Sequence, residues 1–222
     1  MKNNTKEPVS VQPLVDVVKA LRAPNGCPWD QKQTHESLRR YFIEETYEVV
    51  DAIDNKDMDN LREELGDVLL QVVFHSQLAE EAGHFTLQDV IHDVTEKMIR
   101  RHPHVFNPEN DEKSYSWDEL KAKEKKNSQN SVLDGVSKSL PALVAAYKLQ
   151  EKAAKLGFDW DELDPVWAKV SEEMGEFKEA IAQKDRENME KEAGDVLFSL
   201  INLLRWYKIS GENALNRTNT KF

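Results

Sequence analysis

The chain has 222 residues, 39% of them hydrophobic and 32% charged, with only 8 Gly and 8 Pro and a formal net charge of −11. That length allows one large or two small domains, two being the better expectation, and the scarcity of Gly and Pro suits a helical protein better than a sandwich or barrel. The negative charge argues against direct binding of nucleic acid or an anionic membrane, so a phosphate-bearing ligand would need divalent cations to reverse the local field.

Met1 to Ser10 is polar and reads as a frayed tail without the regions of a signal peptide. No apolar run approaches the roughly 20 residues that span a bilayer, so a cytoplasmic location is expected. Val11, Leu14, Val15, Val18 and Leu21 recur at helical spacing and predict a first helix, ended by the Ala23-Pro24-Asn25-Gly26 stretch. The loop that follows holds Cys27, Trp29 and Asp30. The lone cysteine excludes an internal disulfide, and with no base adjacent in sequence it is read as a packing residue.

Further helices are predicted from about His35 to Asn55, from Asp59 to Ala82 with Gly83 as C-cap, and from Thr86 to Arg101, stopped by Pro103. Asn107 to Ser131 is rich in Asn, Ser, Lys and acids and predicts a linker with room for one charged helix. Helical periodicity resumes from Leu140 to Leu156, before a second aromatic loop at Gly157-Phe158-Asp159-Trp160-Asp161. Asp164-Pro165 predicts an N-cap and first helical residue, and Val166, Val170, Met174, Phe177 and Ile181 form the apolar stripe of the helix they open. A last helix is predicted from Asn188 to Ser210, ended by Gly211. The expected organisation is all-α, with domains at 1–130, linker included, and 131–222.

Comparison of the two halves gives the strongest signal. Glu44-Glu45-Thr46-Tyr47-Glu48 matches Glu172-Glu173-Met174-Gly175-Glu176, and Glu64-Leu65-Gly66-Asp67 matches Glu192-Ala193-Gly194-Asp195, all at one offset of 128. Residues three apart share a helix face, so Glu45 with Glu48, Glu64 with Asp67, Glu173 with Glu176 and Glu192 with Asp195 each form a pair of adjacent carboxylates. A short turn makes the two helices of each copy antiparallel neighbours. If the pairs face each other, four carboxylates converge, which requires a proton or a cation. Asp67 and Asp195 are each followed by an apolar run, so a carboxylate there needs a partner. Hard divalent ions prefer all-oxygen surroundings, and magnesium suits phosphate chemistry. A single ExxE would be an ordinary solvated face; its duplication with ExxD at fixed spacing is not. A di-iron bundle is disfavoured because no histidine occupies the third position after these glutamates, and His75 is read as a packed or surface residue.

Lys97 and Arg101 lie four apart on one helix face with Arg100 beside them, and are candidates to hold phosphate, although a solvated basic face near a helix C-terminus has the same pattern. Trp29 and Trp160 precede Glu45 and Glu173 by 16 and 13 residues and are read as core anchors.

These residues resemble the MazG family of all-α nucleoside triphosphate pyrophosphohydrolases, whose signature is EExxE followed by ExxD. The resemblance extends over Gly26 to Asp30, Glu44 to Glu48, Glu63 to Asp67, Arg100 to Phe106 and the second copy through Asp195. It implies two tandem four-helix MazG-like bundles and hydrolysis of NTPs or dNTPs to a monophosphate and pyrophosphate. It further implies a magnesium requirement, with manganese a conceivable substitute, and a homodimer. By position, Glu45, Glu48, Glu64 and Asp67 are implied metal ligands in the first copy, and Glu173, Glu176, Glu192 and Asp195 in the second. The leading acids Glu44 and Glu172 are the implied catalytic ones, orienting or deprotonating the attacking water. Lys97 and Arg101 would clamp phosphate in the first copy, with Lys169 and Lys221 the matching candidates in the second. Alignment of Lys221 with Lys97 puts the counterpart of Arg101 at residue 225, beyond Phe222, which implies either a weakened second copy or a truncated form. The alternatives to an enzyme are a nucleotide- or metal-binding regulatory module without turnover, and a helical interaction protein with incidental acidic faces.

Overall fold

The computed structural model describes residues 10–107, 133 and 135–222, and every regular element among them is helical. The chain divides into two compact units, Met1–Leu120 and Lys121–Phe222. The linker predicted beyond Asn107, and the domain division expected at 130/131, lie outside the described residues.

The first unit contains α1 (Gln12–Arg22), α2 (Pro28–Gln31), α3 (His35–Asn55), α4 (Met58–Glu81), α5 (Leu87–Arg101) and α6 (Pro103–Phe106). Thr34 opens α3 through a capping box with Ser37, and Thr86 opens α5 through one with Asp89, so orphan N–H groups at both starts find side-chain oxygens. The turn between α3 and α4 is tight. Lys56 closes α3 in the left-handed region (φ 58), and the Asp57 carboxylate accepts from the backbone N–H groups of Asp59 and Asn60. This forces α3 and α4 to pack as antiparallel neighbours. Val18, Leu38, Val73 and Phe74 form the core, covered by Leu14, Tyr41 and Leu70. The Arg22 guanidinium lies 5.4 Å from the centre of the Phe74 ring, donates to both carboxylate oxygens of Glu81 (2.9 and 2.6 Å) and to the Asp30 carbonyl, and so ties α4 to the loop that holds α2.

The second unit contains α7 (Ala142–Ala154), α8 (Leu163–Gln183), α9 (Arg186–Trp206) and α10 (Gly211–Lys221). Its central turn repeats the first: Lys184 is left-handed (φ 57) and Asp185 caps α9 by accepting from Asn188 N–H. Val166, Val170 and Leu203 form a buried cluster with Leu163 and Trp206 against it.

Three expectations need correcting. The N-cap of α8 is Glu162, with no side-chain cap bond, and Asp164 instead sits in the first turn, where its charge favours the helix dipole. Gly211 does not end α9: that helix stops at Trp206, Lys208 takes the left-handed conformation (φ 55), and Gly211 begins α10. Glycine packs closely there: a Cβ would come within 2.4 Å of Ile201 Cδ1 and 3.3 Å of Leu204 Cδ1, so a larger residue would displace those side chains. The apolar stripe of α8 is buried only at its start, since Met174 and Ile181 are 40% and 48% exposed.

Candidate active site

In the first unit, α3 presents Glu45 and Glu48 one turn apart toward Glu64 on α4, and one oxygen from each lies within 4.8 Å of the other two. Asp67, one turn past Glu64, adds its charge to both Glu45 and Glu64. Burial, a hydrogen bond with Glu48 and the surrounding carboxylates raise the Glu45 carboxyl to about 7. Glu64 is raised as well, first by burial and then by Glu48 and Asp67. Among the described residues no cationic side chain pairs with these four acids.

In the second unit, Glu173 and Glu176 on α8 meet Glu192 on α9 with the same 4.8 Å separation limit. Here Glu173 and Glu192 are buried, 7% and 5% exposed. Two lysines compensate them. Lys169 Nζ lies 2.7 Å from Glu173 and 2.8 Å from Glu172, and Lys191 Nζ lies 2.9 Å from Glu192 and 3.8 Å from Asp195. Hydrogen bonding to Glu172 and Glu173 raises the Lys169 ammonium, and hydrogen bonding to Glu192 raises that of Lys191. Burial raises Glu176, with the charges of Glu173 and Glu192 adding to it. The corresponding first-unit residues at the 128 offset are Tyr41 and Glu63, neither a cation, which explains the difference between the two clusters. Lys191 was not among the residues singled out by sequence; its adjacency to Glu192, one turn before Asp195, was the available signal.

One oxygen tests whether a cation fits. Glu192 Oε2 is buried without a hydrogen-bond partner, a costly state that a bound cation relieves. The donor set is all carboxylate oxygen, which suits a hard divalent ion. Glu173, Glu176 and Glu192, with Asp195 beside them, would hold it in the second unit, and Glu45, Glu48, Glu64 and Asp67 in the first.

The leading acids lie outside the convergent triads. Glu172 is exposed and held by Lys169, while Glu44 is exposed and near Arg40. Lys97 and Arg101 are half-buried on α5, and Lys221 is exposed at the end of α10. No contact among the described residues joins Lys97 or Lys221 to the carboxylates. Ser210 caps α10 as Thr86 caps α5, and numbering from these caps places Lys221 level with Lys97. Neither tryptophan anchors a core. Trp29 is 53% exposed with its ring edge toward Tyr41, and Trp160 is 45% exposed at the rim of a cavity of about 650 Å³ in the second unit. Trp29 lies in the short helix α2 and Trp160 in a loop, each ahead of the helix that carries the glutamate pair. The cavity also touches Lys169, Glu173 and Asp195, and so opens directly onto the acidic cluster. His75 packs partly buried against His35, with facing Nδ1 atoms 2.8 Å apart.

Paired long helices with convergent, incompletely neutralised carboxylates, repeated in two all-α units, define a class of helical proteins whose acidic sites suit a divalent cation. Within that class, the chain belongs to the MazG nucleotide pyrophosphohydrolase family: the MazG nucleotide pyrophosphohydrolase domain matches residues 33–106 and 164–222. It is 49% identical over 212 residues to the nucleoside triphosphate pyrophosphohydrolase/pyrophosphatase MazG of Thermotoga maritima, covering 94% of this chain and 81% of that protein. It is 44% identical over 217 residues to the nucleoside triphosphate pyrophosphohydrolase of Escherichia coli, covering 94% of this chain and 82% of that protein. A third relative, the uncharacterized protein YabN of Bacillus subtilis, is 53% identical over 212 residues, 93% of this chain and 43% of that longer protein.

Proposed function

We propose that the chain hydrolyses nucleoside triphosphates, ribo- or deoxyribo-, at the α–β phosphate bond to give a monophosphate and pyrophosphate, with magnesium as cofactor and manganese able to replace it. The observation that carries this reading is the convergence of three carboxylates across a helix pair in each unit, one of them in the second unit with an unpartnered buried oxygen. Family membership supplies the substrate class, and both named relatives carry the same activity in their names.

When bound, the metal neutralises the carboxylates and stabilises negative charge on the phosphoryl oxygens and the departing pyrophosphate. The chain's own residues do the rest. Glu45, Glu48, Glu64 and Asp67, or Glu173, Glu176, Glu192 and Asp195, position the cation. Glu172, and Glu44 in the first unit, orient the attacking water and accept its proton; both are exposed and outside the convergent triads, so water reaches them. Lys169 and Lys191 neutralise the second cluster before the cation arrives and are then free to turn toward phosphate oxygens. Lys97, Arg101 and Lys221, on the helices that follow the carboxylate-bearing pairs, complete the phosphate contacts.

We further propose a homodimer. Trp167, Met174 and Ile181 recur every seven residues on α8 and are 40–49% exposed, and Ile91, Val94 and Met98 make a similar exposed stripe on α5. Such contiguous apolar faces mark interfaces. No helix among the described residues is long and apolar enough to cross a membrane, and we place the protein in the cytoplasm, acting on a small nucleotide without binding nucleic acid.

The test is product analysis. Purified protein with magnesium releases pyrophosphate, not orthophosphate, from NTPs, and chelation stops it. Release of orthophosphate, or of nothing from any common NTP or dNTP, overturns the reading; nucleotide binding without turnover would favour a regulatory module.

A further inference from the structure

We propose that the cavity of the second unit is a nucleoside pocket in which Asn202 and Gln150 read polar atoms of the base or sugar and Phe158, Trp160 and Phe198 supply ring faces. This rests on the pyrophosphohydrolase reading, because only a substrate with a nucleoside attached to its phosphates occupies the acidic cluster and the cavity at once.

The cavity, about 650 Å³, is of the size that small-molecule sites adopt, and Glu173 and Asp195 belong to its wall. A nucleotide with its phosphates at the carboxylates therefore projects its nucleoside toward Trp160 and Asn202. The rings at this wall are exposed: Phe158 is 85% exposed, and Trp160 and Phe198 are 45% exposed. Exposed rings beside a phosphate site are suited to stacking on a base.

Two amides have their orientations fixed by the protein. Arg205 donates to Asn202 Oδ1 through Nε and a terminal nitrogen, at 3.1 and 3.0 Å, and is itself held by Asp159 at 2.5 Å. Because guanidinium has only donors, the face of Asn202 toward it must be oxygen, and the Nδ2 amide is left to donate. Gln150, 7% exposed, donates from Nε2 to the Phe198 carbonyl at 2.8 Å, which leaves its Oε1 buried and without a partner. Asn202 thus presents an oriented donor, and Gln150 holds an orphan acceptor just beneath the wall, which a turn of its amide would expose to a ligand. A nucleobase edge, with a carbonyl or ring nitrogen next to an N–H, carries the complementary pair.

The first unit fills the corresponding register. At the 128 offset Asn202 aligns with Phe74 and Ser199 with Gln71, and Phe74 is 5% exposed within the core beside Val18. Replacing a buried phenylalanine by asparagine opens the volume that the second unit keeps.

The experiment measures pyrophosphate release from ATP, GTP, CTP and UTP, with inorganic tripolyphosphate as a competitive inhibitor lacking a nucleoside. It uses the full chain, Asn202→Phe, which restores the first unit's residue, and Phe158→Ala, an exposed position whose loss does not threaten folding. The pocket predicts that both variants raise KM for the nucleotides by about tenfold with kcat little changed, and flatten the preference among them, while inhibition by tripolyphosphate stays as in the wild type. If the wild type turns over but KM and preference are unmoved in both variants, the pocket is wrong and the activity stands. A parallel loss of tripolyphosphate inhibition overturns it too, by placing phosphates rather than the nucleoside in the cavity. A wild type that releases no pyrophosphate from any of the four fails the parent reading, and the pocket falls with it.

Discussion

Glu45 and Glu173 hold the same place in the repeat, yet they reach charge balance by different routes. Glu45 has no cationic partner among the described residues and keeps a proton up to about pH 7, whereas Glu173 is matched by Lys169 at 2.7 Å. A carboxyl whose folded pKa is raised above its ordinary value of 4.5 contributes stability at low pH and loses it as pH rises through the folded pKa. In chelator, wild type should therefore lose melting temperature relative to Glu45→Gln between pH 4.5 and about 7 and remain offset above that; magnesium should reverse the order. Paired melting curves across pH check this. The acids themselves were legible because spacing alone puts them on shared faces. Lys191 and the cavity were not: an ion pair to an adjacent helix turn looks like ordinary surface charge, and an absent side-chain volume leaves no periodic trace. Only the alignment of Asn202 with Phe74 hinted at the opening.

At the scale of elements, each unit is organised by a long helix pair, a tight Lys-Asp turn and an arginine that pins the aromatic loop. Arg22 does this from α1 through Glu81 and the Asp30 carbonyl, Arg205 from α9 through Asp159. Arg22 is 8% exposed at its side chain, so Arg22→Ala removes its hydrogen bonds to Glu81 and to the Asp30 carbonyl, which keep only Gln77 and the Gln33 N–H as donors; a loss of about 1–2 kcal/mol is expected by urea unfolding. Lys184 bears a left-handed backbone that glycine adopts freely, and Lys184→Gly should gain about 0.5–1 kcal/mol in the same assay. Helix starts in the first unit are fixed by side-chain caps at Thr34, Asp57 and Thr86, which hydrophobic spacing alone did not single out and located only to within a residue or so. The short helices at Pro28–Gln31 and Pro103–Phe106 were missed because four residues carry no periodicity. Gly211 opens a helix rather than ending one, because a glycine packed closely against Ile201 is indistinguishable in sequence from one that stops a helix.

For the whole molecule, duplication has produced two units with equivalent acids and unequal surroundings. Their exposed stripes predict a dimer in solution: sedimentation should give the mass of two chains, and Trp167→Glu combined with Ile181→Glu should shift it toward one. The inequality predicts which unit turns over substrate. The second has lysines beside its carboxylates and an open cavity next to them, while Phe74 occupies the matching register of the first. The decisive measurement is magnesium-dependent pyrophosphate release by Glu48→Gln and Glu176→Gln, each of which removes one carboxylate charge from one unit. Glu176→Gln should lower kcat/KM by about 100-fold and Glu48→Gln by less than about threefold; equal losses, or the larger loss in Glu48→Gln, would contradict the account.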